Sequence, residues 1–152
     1  SMADRIVVMK EGVVQQIGTP KEVYTRPRNL HVARFMGYRN VAEFVLEGTQ
    51  GDGVAVSANG VRLLGAPMDG FNGKRVSVAL RPEDMERAAP DAKHAFDALV
   101  TTVEYGGHDS LLRVKTAFGD LWARIAGEFE EGERISLRVP PSRTLVYDRE
   151  AA

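Results

Sequence analysis

Two hydrophobic rhythms divide the chain. Near the start, Ile6-Val7-Val8-Met9 is apolar at every position, so Ile6 and Val8 face one way and Val7 and Met9 the other. A strand with one wet face alternates, so this pattern predicts a strand with material on both sides. Lys10-Glu11-Gly12 reads as a turn and Val13-Val14-Gln15-Gln16-Ile17 as the returning strand of a hairpin, broken by Gly18. Thr19-Pro20-Lys21-Glu22 is a helix start, with Thr19 as N-cap, Pro20 in the first turn and Glu22 completing a capping box. That helix is short, because Arg26 precedes Pro27 and is pushed out of the helical region. Asn29 caps a second helix whose apolar face is Leu30, Val32, Ala33, Phe35 and Met36, and Gly37 suits its end.

From about Val41 onward the period becomes two. Val76, Val78 and Leu80 alternate with Arg75, Ser77, Ala79 and Arg81, and Ile135, Leu137 and Val139 alternate with Arg134, Ser136 and Arg138. Leu121, Ala123 and Ile125 do the same with Trp122 and Arg124. Turns are signalled at Gly51-Asp52-Gly53, Asn59-Gly60, Asn72-Gly73, Gly106-Gly107 and Gly119-Asp120. Many short strands at regular spacing predict a barrel or a sandwich.

An internal echo sharpens this. Gly73–Pro82 aligns without gaps on Gly132–Pro141, an offset of 59 residues. At the same offset Gly60 falls on Gly119, and Asn40–Glu47 falls on Leu99–Gly106. Each half then runs strand, hairpin, strand, proline. Two similar β units packed together satisfy the echo, and so does one barrel built from both.

Composition removes several chemistries. The 152 residues hold 20 Lys+Arg against 21 Asp+Glu, a net charge of -1, which argues against binding nucleic acid by broad phosphate neutralisation. There is no cysteine, so disulfides, thiolate zinc sites and thiol nucleophiles are excluded. The apolar stretches are far shorter than the roughly 20 residues that span a bilayer, and no basic-then-apolar leader opens the chain, so no secretory signal is expected. Gly73-Lys74 is followed by Arg75 and preceded by Met68 where a phosphate loop needs glycine. His31, His94 and His108 lack metal-ligand spacing. His108-Asp109-Ser110 collects triad residue types, but neighbours at a turn do not form a relay, because triads are assembled from separate elements. Glu128–Glu133 lacks the Asp/Asn and Gly spacing of a calcium loop. Trp122 on an alternating strand reads as a core or barrel-mouth residue. Arg81-Pro82-Glu83-Asp84, directly after an alternating strand, is the most notable polar cluster: an exposed arginine–carboxylate turn, or a ligand or partner contact at a strand end.

Ala3-Asp4-Arg5-Ile6-Val7-Val8-Met9-Lys10-Glu11-Gly12, continuing through Gln16-Ile17-Gly18-Thr19-Pro20 to Val23-Tyr24 and Arg26-Pro27, resembles the end of the ATP-binding domain of an ABC transporter subunit. Val32-Ala33-Arg34-Phe35-Met36-Gly37 is similar to the last helix before that subunit's appended domain. Leu80-Arg81-Pro82-Glu83-Asp84, Val103-Glu104-Tyr105-Gly106, Leu111-Leu112-Arg113-Val114 and Gly132-Glu133-Arg134-Ile135 resemble the TOBE domain of maltose-, polyamine-, iron- or sulfate-type importers.

The resemblance implies a mainly β fold: an OB-like TOBE barrel of two similar β units over residues 38–152. A hairpin and two short helices over residues 1–37 would close the ATP-binding domain. It implies a non-catalytic regulatory and dimer-contact role, with ATP and Mg belonging to the longer parent rather than to this chain. The phosphate loop, signature, Walker B carboxylates and switch histidine of the family would all precede the matched start. The implied partners are a second copy and the transmembrane permeases, at the inner face of a bacterial plasma membrane, and no nucleic acid. A small-oxyanion sensor is the alternative, with Arg81, Glu83, Asp84, Tyr105, Gly106 and Gly107 as candidate contacts through turn amides and charge, and an OB-fold nucleic-acid binder is a third class, which the near-zero net charge weighs against. Severed from the ATP-binding sheet, Ile6–Met9 is expected to fold onto the chain's own barrel or to pair with another copy.

Overall fold

The computed structural model describes residues 4–149. The hairpin forms as the sequence predicts, with β1 (Ile6–Lys10) antiparallel to β2 (Val13–Gly18). Helices α1 (Pro20–Thr25) and α2 (Leu30–Phe35) follow. The Thr19 side chain accepts from Glu22 N–H and the Asn29 side chain from Val32 N–H, so both caps are realised. One face of β1 is covered, but by the helices and not by the barrel: Val8 packs with Val23 and Val32, with Ile6 and Met36 beside them. The other face stays open, with Val7 and Met9 each 52% exposed. The expected return of this strand onto the barrel is therefore corrected. Two short helices laid across a two-stranded ribbon reach only one of its faces. Phe35 departs likewise from the apolar face assigned to α2, because a six-residue helix turns it away from both cores, and it is 69% exposed.

The remaining strands are β3 (Asn40–Gln50), β4 (Gly53–Ala58), β5 (Val61–Pro67), β6 (Arg75–Leu80), β7 (Glu86–Arg87), β8 (Phe96–Tyr105), β9 (Asp109–Thr116), β10 (Gly119–Ala126), β11 (Arg134–Arg138) and β12 (Leu145–Asp148). A 3-10 turn, Pro82–Asp84, precedes β7, and a second, Pro141–Arg143, precedes β12. These turns lie 59 residues apart, as do the starts of β6 and β11, so the echo is a structural duplication.

The halves exchange their last strands. β12 leaves the second half and closes the first into a five-stranded barrel, pairing parallel with β5 and antiparallel with β6. Reciprocally, β7 of the first half pairs with β11 in a five-stranded sheet ordered β10-β9-β8-β11-β7. Gly65 makes the parallel contact possible: a Cβ there would lie 2.7 Å from Thr144 O and 2.6 Å from Val146 Cγ2. Two residues of β7 are too few to close the second sheet in the same way. A side chain serves instead at β10: Asn40 Nδ2 donates to Trp122 O and Trp122 N–H donates to Asn40 Oδ1, both at 2.8 Å. One apolar core runs through both halves, and Phe118 stands between Phe44 and Phe96 with ring centroids 5.0 Å from each.

Candidate functional site

The strand exchange decides where the polar candidates go. Arg81 ends the ladder of β6 and leads into the first 3-10 turn, as Pro82 requires. It is not part of an exposed turn. Its side chain is 17% exposed, pairs with Glu83 at 3.1 Å and lies over the Tyr24 ring, guanidinium carbon 4.4 Å from the centroid. Arg143, from the second 3-10 turn, lies 4.7 Å from the same ring. Tyr24 of α1 is thus gripped by one arginine from each half. Gly37 lets Arg81 approach, since it sits at φ +97° and a Cβ there would lie 3.2 Å from Arg81 Nε.

Asp84 and Arg143 occupy equivalent ends of the two 3-10 turns, with opposite charge. Burial pushes the Asp84 carboxyl above the usual carboxylate range, against the pull of Arg81 and Arg143. Burial likewise raises the Tyr38 hydroxyl, opposed by Arg143, and that of Tyr147. Tyr38 donates to Tyr24 O at 3.1 Å, and Tyr147 donates to Pro27 O at 2.6 Å. Arg81 Nε, Asp84 Oδ2 and Arg143 Nη1 are buried without a hydrogen-bond partner among the described residues.

A pH test follows from Asp84. Its raised value means that the folded state holds the proton more tightly than the unfolded chain. The stability it contributes is full below the ordinary Asp value and is lost as pH rises through the folded value. Asp84→Asn, which mimics the protonated form, is expected to gain on the wild type between about pH 4 and pH 7. Urea midpoints at the two pH values read this directly, and a parallel shift of both proteins would count against it.

Tyr105, Gly106 and Gly107 stand elsewhere, at the β8–β9 hairpin tip. Tyr105 is 50% exposed and donates to Gly107 O at 2.7 Å, while Gly106 N–H is committed to Asp109 O at 2.8 Å. The hydrogen bonds of Tyr105 and Gly106 thus stay within the tip, whereas Arg81 and Glu83 pair with each other at the first 3-10 turn. Beside it, Asp109 pairs with Arg124 at 3.4 Å and Ser110 donates to Gly127 O at 2.6 Å, so those two residues are held in separate structural contacts. Trp122 is half-buried between Arg39 and Arg113, whose guanidinium carbons lie 4.9 and 4.7 Å from its ring.

Sequence reasoning missed Tyr24, Tyr38, Arg143 and Tyr147. The repeat offset contained one clue, since it maps Asp84 onto Arg143. Nothing in the pattern indicated that α1 would supply the ring between the arginines.

Residues 78–146 match the TOBE domain, and the mainly β, duplicated body agrees with it. The chain carries a TOBE domain and belongs with the ATP-binding subunits of ABC importers. Its relatives include the spermidine/putrescine import ATP-binding protein PotA of Mesoplasma florum, 33% identical over 91% of this chain and 39% of that protein. The sn-glycerol-3-phosphate import ATP-binding protein UgpC of Yersinia enterocolitica is 33% identical over 99% of this chain and 43% of its own length. The chain thus spans about two fifths of these curated relatives. In fold it is similar to the cytoplasmic molybdate-binding protein ModG, with a TM-score of 0.58 and 14% identity over 71% of this chain and 94% of that one. Among the described residues no helix is long and apolar enough to cross a membrane.

Proposed function

We propose that residues 38–152 are the regulatory and dimer-contact domain of an importer ATPase, and that residues 1–37 close its ATP-binding domain. The observation that carries this reading is the open face of the hairpin. Val7 opposite Ile17 and Met9 opposite Val14 form this face of the two-stranded ribbon, each 48–52% exposed. An apolar ribbon face of that kind is normally covered by another surface, and in a subunit of the relatives' length the ATP-binding domain supplies it. The chain itself is non-catalytic in this reading, and nucleotide and Mg belong to the parent. The parent works at the inner face of a bacterial plasma membrane with permease subunits and a second copy of itself. The β body brings the two copies together and biases their equilibrium between open and closed states.

The test separates the two surfaces. In this chain the double variant Val7→Glu, Val14→Glu removes the apolar hairpin face. Light scattering is expected to show loss of nonspecific association and retention of a discrete dimer through the β body. A variant that is monomeric at every concentration would remove the dimer-contact role. A second reading, a small-oxyanion sensor, is favoured by the unpartnered guanidinium nitrogens of Arg81 and Arg143. Calorimetry with molybdate, sulfate and phosphate distinguishes it, since a saturable heat lost in Arg143→Met would favour the sensor.

A further inference from the structure

The helical segment meets the β body where the two halves exchange strands. Tyr147, which anchors Pro27, lies on the exchanged strand β12. Arg81 precedes the first and Arg143 ends the second of the two 3-10 turns through which the chain crosses over. The Tyr24 ring touches both guanidinium groups, at 4.4 and 4.7 Å, and beside it Leu30, Ala33 and Met36 of the α2 region pack against Ala79 of β6 and Leu145 and Tyr147 of β12.

We infer that Tyr24, gripped between Arg81 and Arg143, is a joint that couples α1 to the β body, whose two halves already share one core. Held from both 3-10 turns, α1 cannot shift over the β body without breaking a cation–π contact. Burial makes the grip stronger than a surface contact, since a desolvated guanidinium gains more from the ring's negative face. The partial neutralisation by Asp84 and Glu83 keeps two arginines from repelling each other there. The significance for an importer rests on the reading that residues 1–37 belong to the ATP-binding domain, because the joint would then carry motion from that domain into the β body.

Hydrogen exchange on this chain reads the joint without reference to transport. In Tyr24→Leu, the α1 amides of Val23 and Arg26, which donate to Thr19 O and Glu22 O, are expected to exchange about tenfold faster, while those of Val78 and Val114 keep wild-type rates. Tyr24→Phe keeps the ring and is expected to behave as wild type. Arg143→Lys keeps the charge but not the flat stacking surface, and is expected to fall between the two. Combined with Tyr24→Leu, it adds nothing further. Equal acceleration in helices and body would make Tyr24 a general packing residue and overturn the joint, as would unchanged exchange in Tyr24→Leu. A monomeric β body with a helical segment that still opens separately in Tyr24→Leu would overturn the functional reading and leave the joint intact.

Discussion

A chain ending at Pro140 is expected to lose its cooperative unfolding transition, although only the last short strand and its turn are removed. β12 buries Leu145, Val146 and Tyr147, which are 0%, 0% and 2% exposed. Fully burying three such side chains contributes on the order of 5–9 kcal/mol, comparable with the whole stability of an ordinary domain. Thr144 O, just before the strand, accepts from Ala66 N–H and Val146 O within it from Met68 N–H, both at 2.8 Å. Without it the first barrel opens along the edges of β5 and β6. Urea titration followed by far-ultraviolet dichroism is the measurement, and a peptide of residues 141–149 added in trans is expected to restore the transition. A truncated chain that unfolds sharply at the wild-type midpoint would show that the first half closes without its exchanged strand.

Phe118→Ala is expected to cost about 3–5 kcal/mol, the range for truncating a buried phenylalanine. The residue sits in the β9–β10 turn, yet it is only 9% exposed and meets rings from both halves, Phe44 on β3 and Phe96 on β8. The turn holds this position partly because Asn59 Nδ2 donates to Ala117 O at 2.7 Å across the halves. Phe118→Leu keeps most of the volume and is expected to cost under about 1.5 kcal/mol. Thermal or urea unfolding compares them. Losses under about 1 kcal/mol in both variants would mean that packing of this ring at the seam contributes little.

The local elements were legible because their causes are local. Thr19, Pro20 and Asn29 act on backbone groups within a turn of themselves, and the alternation of Val76, Val78 and Leu80 follows from the pleat of a single strand. The repeat was legible because duplicated halves keep a common register. Phe118 was not, since a turn residue reads as exposed until the other half arrives to cover it. The cluster at Arg81 was half legible. The sequence located Arg81, Glu83 and Asp84 and treated the tip at Tyr105, Gly106 and Gly107 as part of the same candidate set, but the fold holds that tip by its own contacts at the β8–β9 turn.

By itself, then, the order of residues determined a hairpin, two short capped helices and two matching sets of strands, together with a family likeness carried by ordered motifs. Tertiary structure alone decided that β7 and β12 change places, that Asn40 serves β10 in place of a longer strand, and that Tyr24 lies between Arg81 and Arg143. The physical reason is range. Caps and pleats depend on neighbours a few residues away. A strand of four residues has no preference between two nearly identical edges, and the choice is made by packing between segments more than 50 residues apart.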